Sequence, residues 1–287
     1  MTRHTHLTAP TQFVEAGGVR FAYRRFGQDT GVPLVFLQHF RGGMDHWDPA
    51  VTDGFAATRP VILFDNAGVA ASSGETPSTV EEMADHAADF VGALGLSVVD
   101  VLGFSIGGYE AQTLALRHPS IVRRLVLVGT RPRGGEPSQD AKYAQYAAMT
   151  DSKTGDAPLE AFLYLFFRPS DTSQAVGKAF WKRRHQRKED VDPPSSPQTM
   201  AAQRAAITAW AEVRGERYAE LKNIKQPTLV VNGSNDVMVP TINSYILSQH
   251  IPWAQLIVYP DSGHGSLFQF SELFVAHAKI FLDHPIR

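Results

Sequence analysis

The chain is predicted to be an α/β protein, with a mostly parallel central sheet flanked by helices, on three observations. Apolar runs of strand length alternate with helical segments, the pattern that builds parallel strands joined by crossover helices. One strand and one helix meet across Gly103-Phe104-Ser105-Ile106-Gly107, where small residues two positions either side of a serine permit a very sharp turn. The alternation then stops from Thr130 to about Asn223, where helical segments and proline-rich breaks such as Pro193-Pro194-Ser195-Ser196-Pro197 replace strands, and it resumes afterwards.

Taken in order, residues 1–10 are polar and read as mobile. Gln12 to Glu15 and Val19 to Arg25 are two short strands joined across Gly17-Gly18, an antiparallel edge. Pro33 to Leu37 is fully apolar, as a strand covered on both faces should be. A helix is expected over Asp45 to Ala57, a buried strand over Pro60 to Phe64, and a turn rich in Gly, Ala and Ser over Asp65 to Thr76. Ser78-Thr79-Val80-Glu81 reads as a capping box, and Val80, Met83, Ala84, Ala87, Phe90, Val91 and Leu94 recur on one helical face. Val98 to Leu102 is the central strand, Tyr109 to Arg117 the helix after it, and Arg123 to Gly129 the next strand. After the interruption come a strand at Pro227 to Asn232, a helix at Thr241 to Gln249, a strand at Gln255 to Tyr259 and a helix at Phe268 to Leu282. The predicted organisation is a core of residues 1–129 and 224–287, with residues 130–223 a helical lid at the edge where Ser105 emerges.

The 287 residues, 43% of them hydrophobic, suffice for one large core. Cysteine is absent, which excludes disulfides, thiolate catalysis and cysteine metal sites. A net charge of −2 gives no whole-chain reason to expect nucleic acid or a membrane surface as partner. The first ten residues have no apolar signal segment, and no apolar run approaches the length of a membrane span. A cytoplasmic protein acting on a small molecule is expected, without cofactor or metal.

The turn around Ser105 carries the chemistry. A serine hydroxyl is a weak nucleophile that needs a base, and a strained elbow lifts it to where a base can reach. Of eleven histidines, His264 stands just past the last apolar strand, on the sheet edge that also bears Ser105. His86 and His277 fall inside helices, His118 ends one, and His4, His6 and His284 lie near the termini. The base needs a carboxylate to fix its tautomer. Asp236, in Asn232-Gly233-Ser234-Asn235-Asp236, sits one strand earlier on the same edge; Asp261 is a rival placed to cap a turn in the histidine loop.

The elbow GFSIGG with the segments GSNDVMVP and SGHG, in this order over nearly the whole chain, resembles the α/β-hydrolase superfamily. LALRHPSIVRRLVLVG and Asp65-Asn66-Ala67-Gly68 are similar to its esterase, lactonase and cofactor-free haloperoxidase branches. The resemblance implies an α/β-hydrolase fold with a cap after the strand that follows the nucleophile helix. It also implies an oxyanion hole, made by the backbone N–H of the residue after the nucleophile and by one in the loop after the first parallel strand. Here these are Ile106 and Phe40. The usual His-Gly of that loop is replaced by Gln38-His39, so a side chain stands where glycine ordinarily lets the loop turn. No carboxylate follows Gly129, where some relatives carry the acid, and Ser105 excludes the aspartate nucleophile of dehalogenases.

The expected activity is hydrolysis of a small to medium apolar ester or lactone through an acyl-enzyme. The same residues using peroxide in place of water would make a perhydrolase or cofactor-free haloperoxidase, and a non-catalytic ligand-binding protein of this fold is a third reading. Lys182-Arg183-Arg184-His185-Gln186-Arg187-Lys188 is read as a solvated helix face. Asp45, His46 and Asp48 are not read as metal ligands, nor Gly42-Gly43 as a dinucleotide turn. The aromatic lid segment Ala161 to Phe167, with Phe180 and Trp181, is expected to pack onto the core with some rings left over for a pocket.

Overall fold

The computed structural model describes residues 4–151 and 157–284. Its first strands, β1 (Gln12–Ala16) and β2 (Val19–Gly27), form the antiparallel edge. β3 (Leu34–Leu37) follows, then helix α1 (Pro49–Ala56), β4 (Pro60–Phe64), α2 (Val80–Ala93), β5 (Val99–Phe104), α3 (Ile106–Arg117) and β6 (Val122–Val128). Between β6 and β7 come α4 (Tyr143–Asp151), α5 (Leu159–Phe166), α6 (Asp171–Arg184) and α7 (Pro197–Trp210), with no strand among the described residues. β7 (Thr228–Gly233), α8 (Ile242–His250), β8 (Ala254–Tyr259), α9 (Ser266–Gln269) and α10 (Ser271–Asp283) complete the chain.

The eight strands form one sheet in the order β1-β2-β4-β3-β5-β6-β7-β8, antiparallel at β1/β2 and β2/β4 and parallel from β4 to β8. Period-two alternation divides the strand side chains between two cores. Leu34, Phe36, Leu102, Phe104, Val126 and Val128 pack on α1, α9, α10 and the α5 and α6 helices. Val35, Leu37, Val99, Val101, Leu125 and Leu127 pack on α2, α3 and α8. From β3 the chain crosses to β4 on one side and then to β5 on the other, so the strand order reverses between β3 and β5. At such a reversal the loops leaving the two strands diverge and open a crevice.

Four local readings are corrected. The helix expected over Asp45 to Ala57 is broken: a 3-10 turn at Met44–His46 ends at Trp47, and α1 starts afresh with Asp48 as its cap and Pro49 in its first turn. Proline lacks the N–H that an unbroken helix would need and sterically excludes helical backbone before it. The cap of α2 lies one residue later than read: Thr79 accepts from the Glu82 N–H. The last helix breaks at Phe270 into α9 and α10. The N-terminal segment is not loose where it is described, because His6 and Ala9 are buried and their carbonyls accept from the Arg187 guanidinium at 2.9 and 2.7 Å; residues 1–3 lie outside the described residues.

Candidate active site

Ser105 stands between β5 and α3 with φ 57° and ψ −120°, a conformation non-glycine residues rarely adopt. Such backbone costs about 1–3 kcal/mol and persists only where its surroundings hold it. Here they do: the Ser105 N–H donates to the Val128 carbonyl at 3.0 Å, and the Ser105 carbonyl accepts from Thr130 Oγ1 at 2.8 Å. A Cβ on Gly103 would lie 2.3 Å from the Gly107 carbonyl oxygen, and one on Gly107 would lie 2.1 Å from the Leu37 carbonyl oxygen. Both glycines are therefore required by close backbone approach, and the second brings the N-terminus of α3 against the end of β3.

His264 is fully buried in the loop after β8. Its Nδ1 is 2.7 Å from Asp236 Oδ2, while Asp236 Oδ1 accepts from the Met238 and Val239 N–H groups at 2.8 and 2.9 Å. With Nδ1 facing a carboxylate, the neutral ring carries its proton there and leaves a lone pair on Nε2. Nε2 has no hydrogen-bond partner among the described residues. The ring packs against Phe104 at 4.8 Å and Phe166 at 5.3 Å between centroids, and the Gly265 N–H donates to the Phe166 carbonyl at 2.8 Å, tying the histidine loop to α5. Asp261 points elsewhere, accepting from Ser170 Oγ at 2.6 Å at the start of α6. Ser105 and His264 share one cavity wall, although no hydrogen bond joins them among the described residues.

The loop after β3 turns without glycine at its second position by a different device. Gln38 folds back, its Oε1 accepting from the His39 N–H at 2.8 Å and its Nε2 donating to the Gly43 carbonyl at 2.9 Å. Arg41 takes the left-handed conformation at φ 66°, and Gly42 has no Cβ, which would otherwise lie 2.2 Å from Gln38 Cγ. The Arg41 N–H donates to Gln203 Oε1 of α7 at 2.7 Å, and Ser195 Oγ donates to the Arg41 carbonyl at 2.9 Å. Among the described residues, the Phe40 N–H donates to no protein acceptor. Phe40 lines the cavity with Ser105, while Ile106 opens α3 directly behind the serine.

The cavity holds about 440 Å³ between the sheet edge and the helices that follow β6. Phe162, Leu165, Phe166, Trp181 and Met238 give it an apolar wall. The other rings of that helical segment do pack, Phe180 stacking on Phe268 at 4.2 Å and Tyr164 on Tyr146 at 3.8 Å. The basic run is a solvated face only in part: Lys182, His185, Gln186 and Lys188 are exposed, but its three arginines are not. Arg183 makes a two-pronged contact with the buried Asp48 at 3.0 and 2.6 Å, Arg184 is buried in the cavity wall, and Arg187 holds the N-terminal segment. Sequence reasoning also missed the fully buried Arg24, which ion-pairs with Asp45 and, at 2.8 Å, with Asp192, two cavity-wall carboxylates. Its signal was an inward register: Arg24 shares strand parity with Ala22 and Phe26, which enter the core.

His39 and His46 add two imidazoles to the wall. Burial holds His39 well below the usual histidine range, and burial with Arg184 nearby holds His46 at about 3, so both are neutral at physiological pH. No group of three or more His, Cys, Asp or Glu side chains suited to a metal ion occurs among the described residues, and no described helix is long and apolar enough to cross a membrane.

Comparison with known proteins agrees with this architecture. Residues 32–271 match the family model described as the alpha/beta hydrolase fold. The chain is 28% identical to the pimeloyl-[acyl-carrier protein] methyl ester esterase of Nitrosomonas europaea, over 86% of this chain and 94% of that one. It is 26% identical to a 2-hydroxymuconate semialdehyde hydrolase of a Pseudomonas species, over 93% and 92%. An alpha/beta hydrolase fold protein from Chitinophaga pinensis superposes with a TM-score of 0.91 at 40% identity, covering 98% of this chain and all of that one. Fold and relatives together place the chain among the hydrolases: it belongs to the α/β-hydrolase fold family.

Proposed function

We propose that the protein is a serine hydrolase that cleaves a small to medium, mainly apolar ester or lactone through an acyl-enzyme intermediate. The observation that carries this reading is the His264 ring, fixed by Asp236 at 2.7 Å with an unpartnered Nε2 lone pair, beside a serine held in strained backbone on the same cavity wall. His264 Nε2 takes the Ser105 proton as Oγ attacks the carbonyl carbon, and Asp236 stabilises the imidazolium that forms. The N–H groups of Phe40 and Ile106 hold the developing oxyanion. Collapse of the tetrahedral intermediate expels the alcohol, which takes its proton from His264; water, deprotonated by the same histidine, then releases the acid.

In this reading residues 130–223 are a cap over the core formed by 1–129 and 224–287, and its Phe162, Phe166 and Trp181 supply the apolar wall that receives the substrate. The protein works in the cytoplasm on a small molecule, without cofactor or metal. The test combines a fluorophosphonate label with turnover of p-nitrophenyl esters, lactones, and peroxide with bromide. The expected result is labelling at Ser105 and ester or lactone turnover that falls on the order of a millionfold in Ser105→Ala. Turnover of wild-type size in that variant would overturn the assignment, and activity confined to peroxide and bromide would move the protein to the perhydrolase reading.

A further inference from the structure

His39 occupies the position where the resemblance leads one to expect glycine, and its ring is built into the cavity wall alongside Ser105 and His264. Three edge-to-face contacts hold it, with Phe104 at 5.5 Å, Phe166 at 5.6 Å and His46 at 5.7 Å between centroids. The His264 ring packs against the same Phe104 and Phe166, so the two imidazoles are neighbours across one aromatic pair.

The tautomer of His39 follows from its contact. Nδ1 lies 2.8 Å from the Phe40 carbonyl oxygen, which only accepts, so Nδ1 carries the hydrogen. Nε2 of the neutral ring is then a pure acceptor. No described side chain or backbone group donates to it, and it is not among the buried atoms sealed off without a partner. The ring lines the cavity with Nδ1 taken up by the Phe40 carbonyl, so Nε2 is the ring atom left to accept from a ligand there, one residue before Phe40, the group that, in the proposed function on which this inference rests, binds the carbonyl oxygen.

We propose that His39 Nε2 is a specificity-determining acceptor, selecting esters or lactones that carry a hydroxyl or N–H on the carbon α or β to the scissile carbonyl. A buried acceptor favours a substrate that satisfies it and penalises one that leaves it unpaired. Because the acceptor belongs to the loop that carries Phe40, the proposal assigns its donor to the acyl side, close to the carbonyl.

The test measures kcat/KM for ethyl 2-hydroxybutyrate and ethyl 3-hydroxybutyrate against their methoxy counterparts, which keep the electron-withdrawing oxygen and lack the donor. Wild type should favour a hydroxy ester by about 10–100-fold at one of the two positions. His39→Phe should bring that ratio near one, and His39→Gln, whose amide oxygen reaches towards the Nε2 position, should restore part of it. A wild-type ratio near one at both positions overturns the proposal, as does a His39→Phe variant that slows both partners equally and keeps the ratio. If His39→Phe fails to fold, the wild-type and His39→Gln ratios decide. Wild type that neither turns over any of these esters nor takes a fluorophosphonate on Ser105 defeats the hydrolase reading itself, which is distinguishable from labelled, active enzyme with no hydroxyl preference.

Discussion

Alanine at Gly107 would place a Cβ 2.1 Å from the Leu37 carbonyl oxygen, 2.4 Å from the Leu37 carbonyl carbon and 2.8 Å from the Gln38 carbonyl oxygen. All three are backbone atoms, so no side chain can swing aside. Opening the first contact even to ~3.0 Å, a floor for real contacts of this kind, requires that α3 and the end of β3 part by about 0.9 Å. Overpacking of this kind costs about 1–3 kcal/mol, or roughly 2–4 °C in Tm per kcal/mol for a protein of this size. The larger effect falls on turnover, because α3 carries Ile106 and the β3 loop carries Phe40, the two proposed oxyanion donors. A misplacement near 1 Å costs about 100-fold in rate, and the loss should appear in kcat more than in KM. Gly92→Ala is the control: it sits late in α2 with nothing within 4 Å of its added Cβ, and should be neutral or stabilising by about 0.5–1 kcal/mol. The assay is thermal melting beside steady-state kinetics on a p-nitrophenyl ester, once turnover is established. Wild-type kcat in Gly107→Ala would refute the claim that the β3–α3 approach sets the oxyanion geometry.

Asp236→Asn should lower turnover about ten-thousandfold by favouring the wrong histidine tautomer, whereas Asp261→Asn, whose side chain accepts from Ser170 and makes no hydrogen bond to His264 among the described residues, should leave kcat near wild type; steady-state kinetics of the pair decide. Arg24→Met should destabilise by about 3 kcal/mol in urea titration, since it removes the buried guanidinium that pairs with the part-buried Asp45 and Asp192 and leaves them, among the described residues, only the cation of Arg187, 3.9 Å from Asp45. Glu110, buried in α3 with one oxygen accepting from Asn66 Nδ2 at 2.9 Å and the other without a partner among the described residues, is pushed up to about 8 by burial. Between its unfolded value and that one, the native state holds a proton that the unfolded chain releases, so stability falls as pH rises through this window and levels off above it. Glu110→Gln should flatten the slope between pH 5 and 8 and gain on the order of a few kcal/mol over wild type at pH 8, measured by denaturation at each pH.

What the sequence by itself determined was everything that depends on short-range pattern. The alternation of apolar runs with helical faces specified a parallel sheet, because strands covered on both sides must be apolar throughout. The glycines at 103 and 107 specified the elbow, and the strand ends before Asp236 and His264 put them on the edge that bears Ser105. Only the tertiary structure decided how the cavity is walled. Arg183, Arg184 and Arg187 look like a solvated basic run because neighbouring residues give no sign that Arg184 will enter a cavity wall, or that Asp48 and two N-terminal carbonyls are waiting for Arg183 and Arg187 from 130 or more positions away. The Gln38-His39 departure was visible, but its meaning was not: whether the loop turns depends on Gln38 bridging His39 to Gly43, on Arg41 accepting a left-handed backbone, and on Gln203 arriving from α7 to hold it. Local propensity acts over a few residues, whereas the pairing of a buried charge or an orphan backbone group is settled by whichever distant segment packs there, and one-dimensional pattern does not encode that choice.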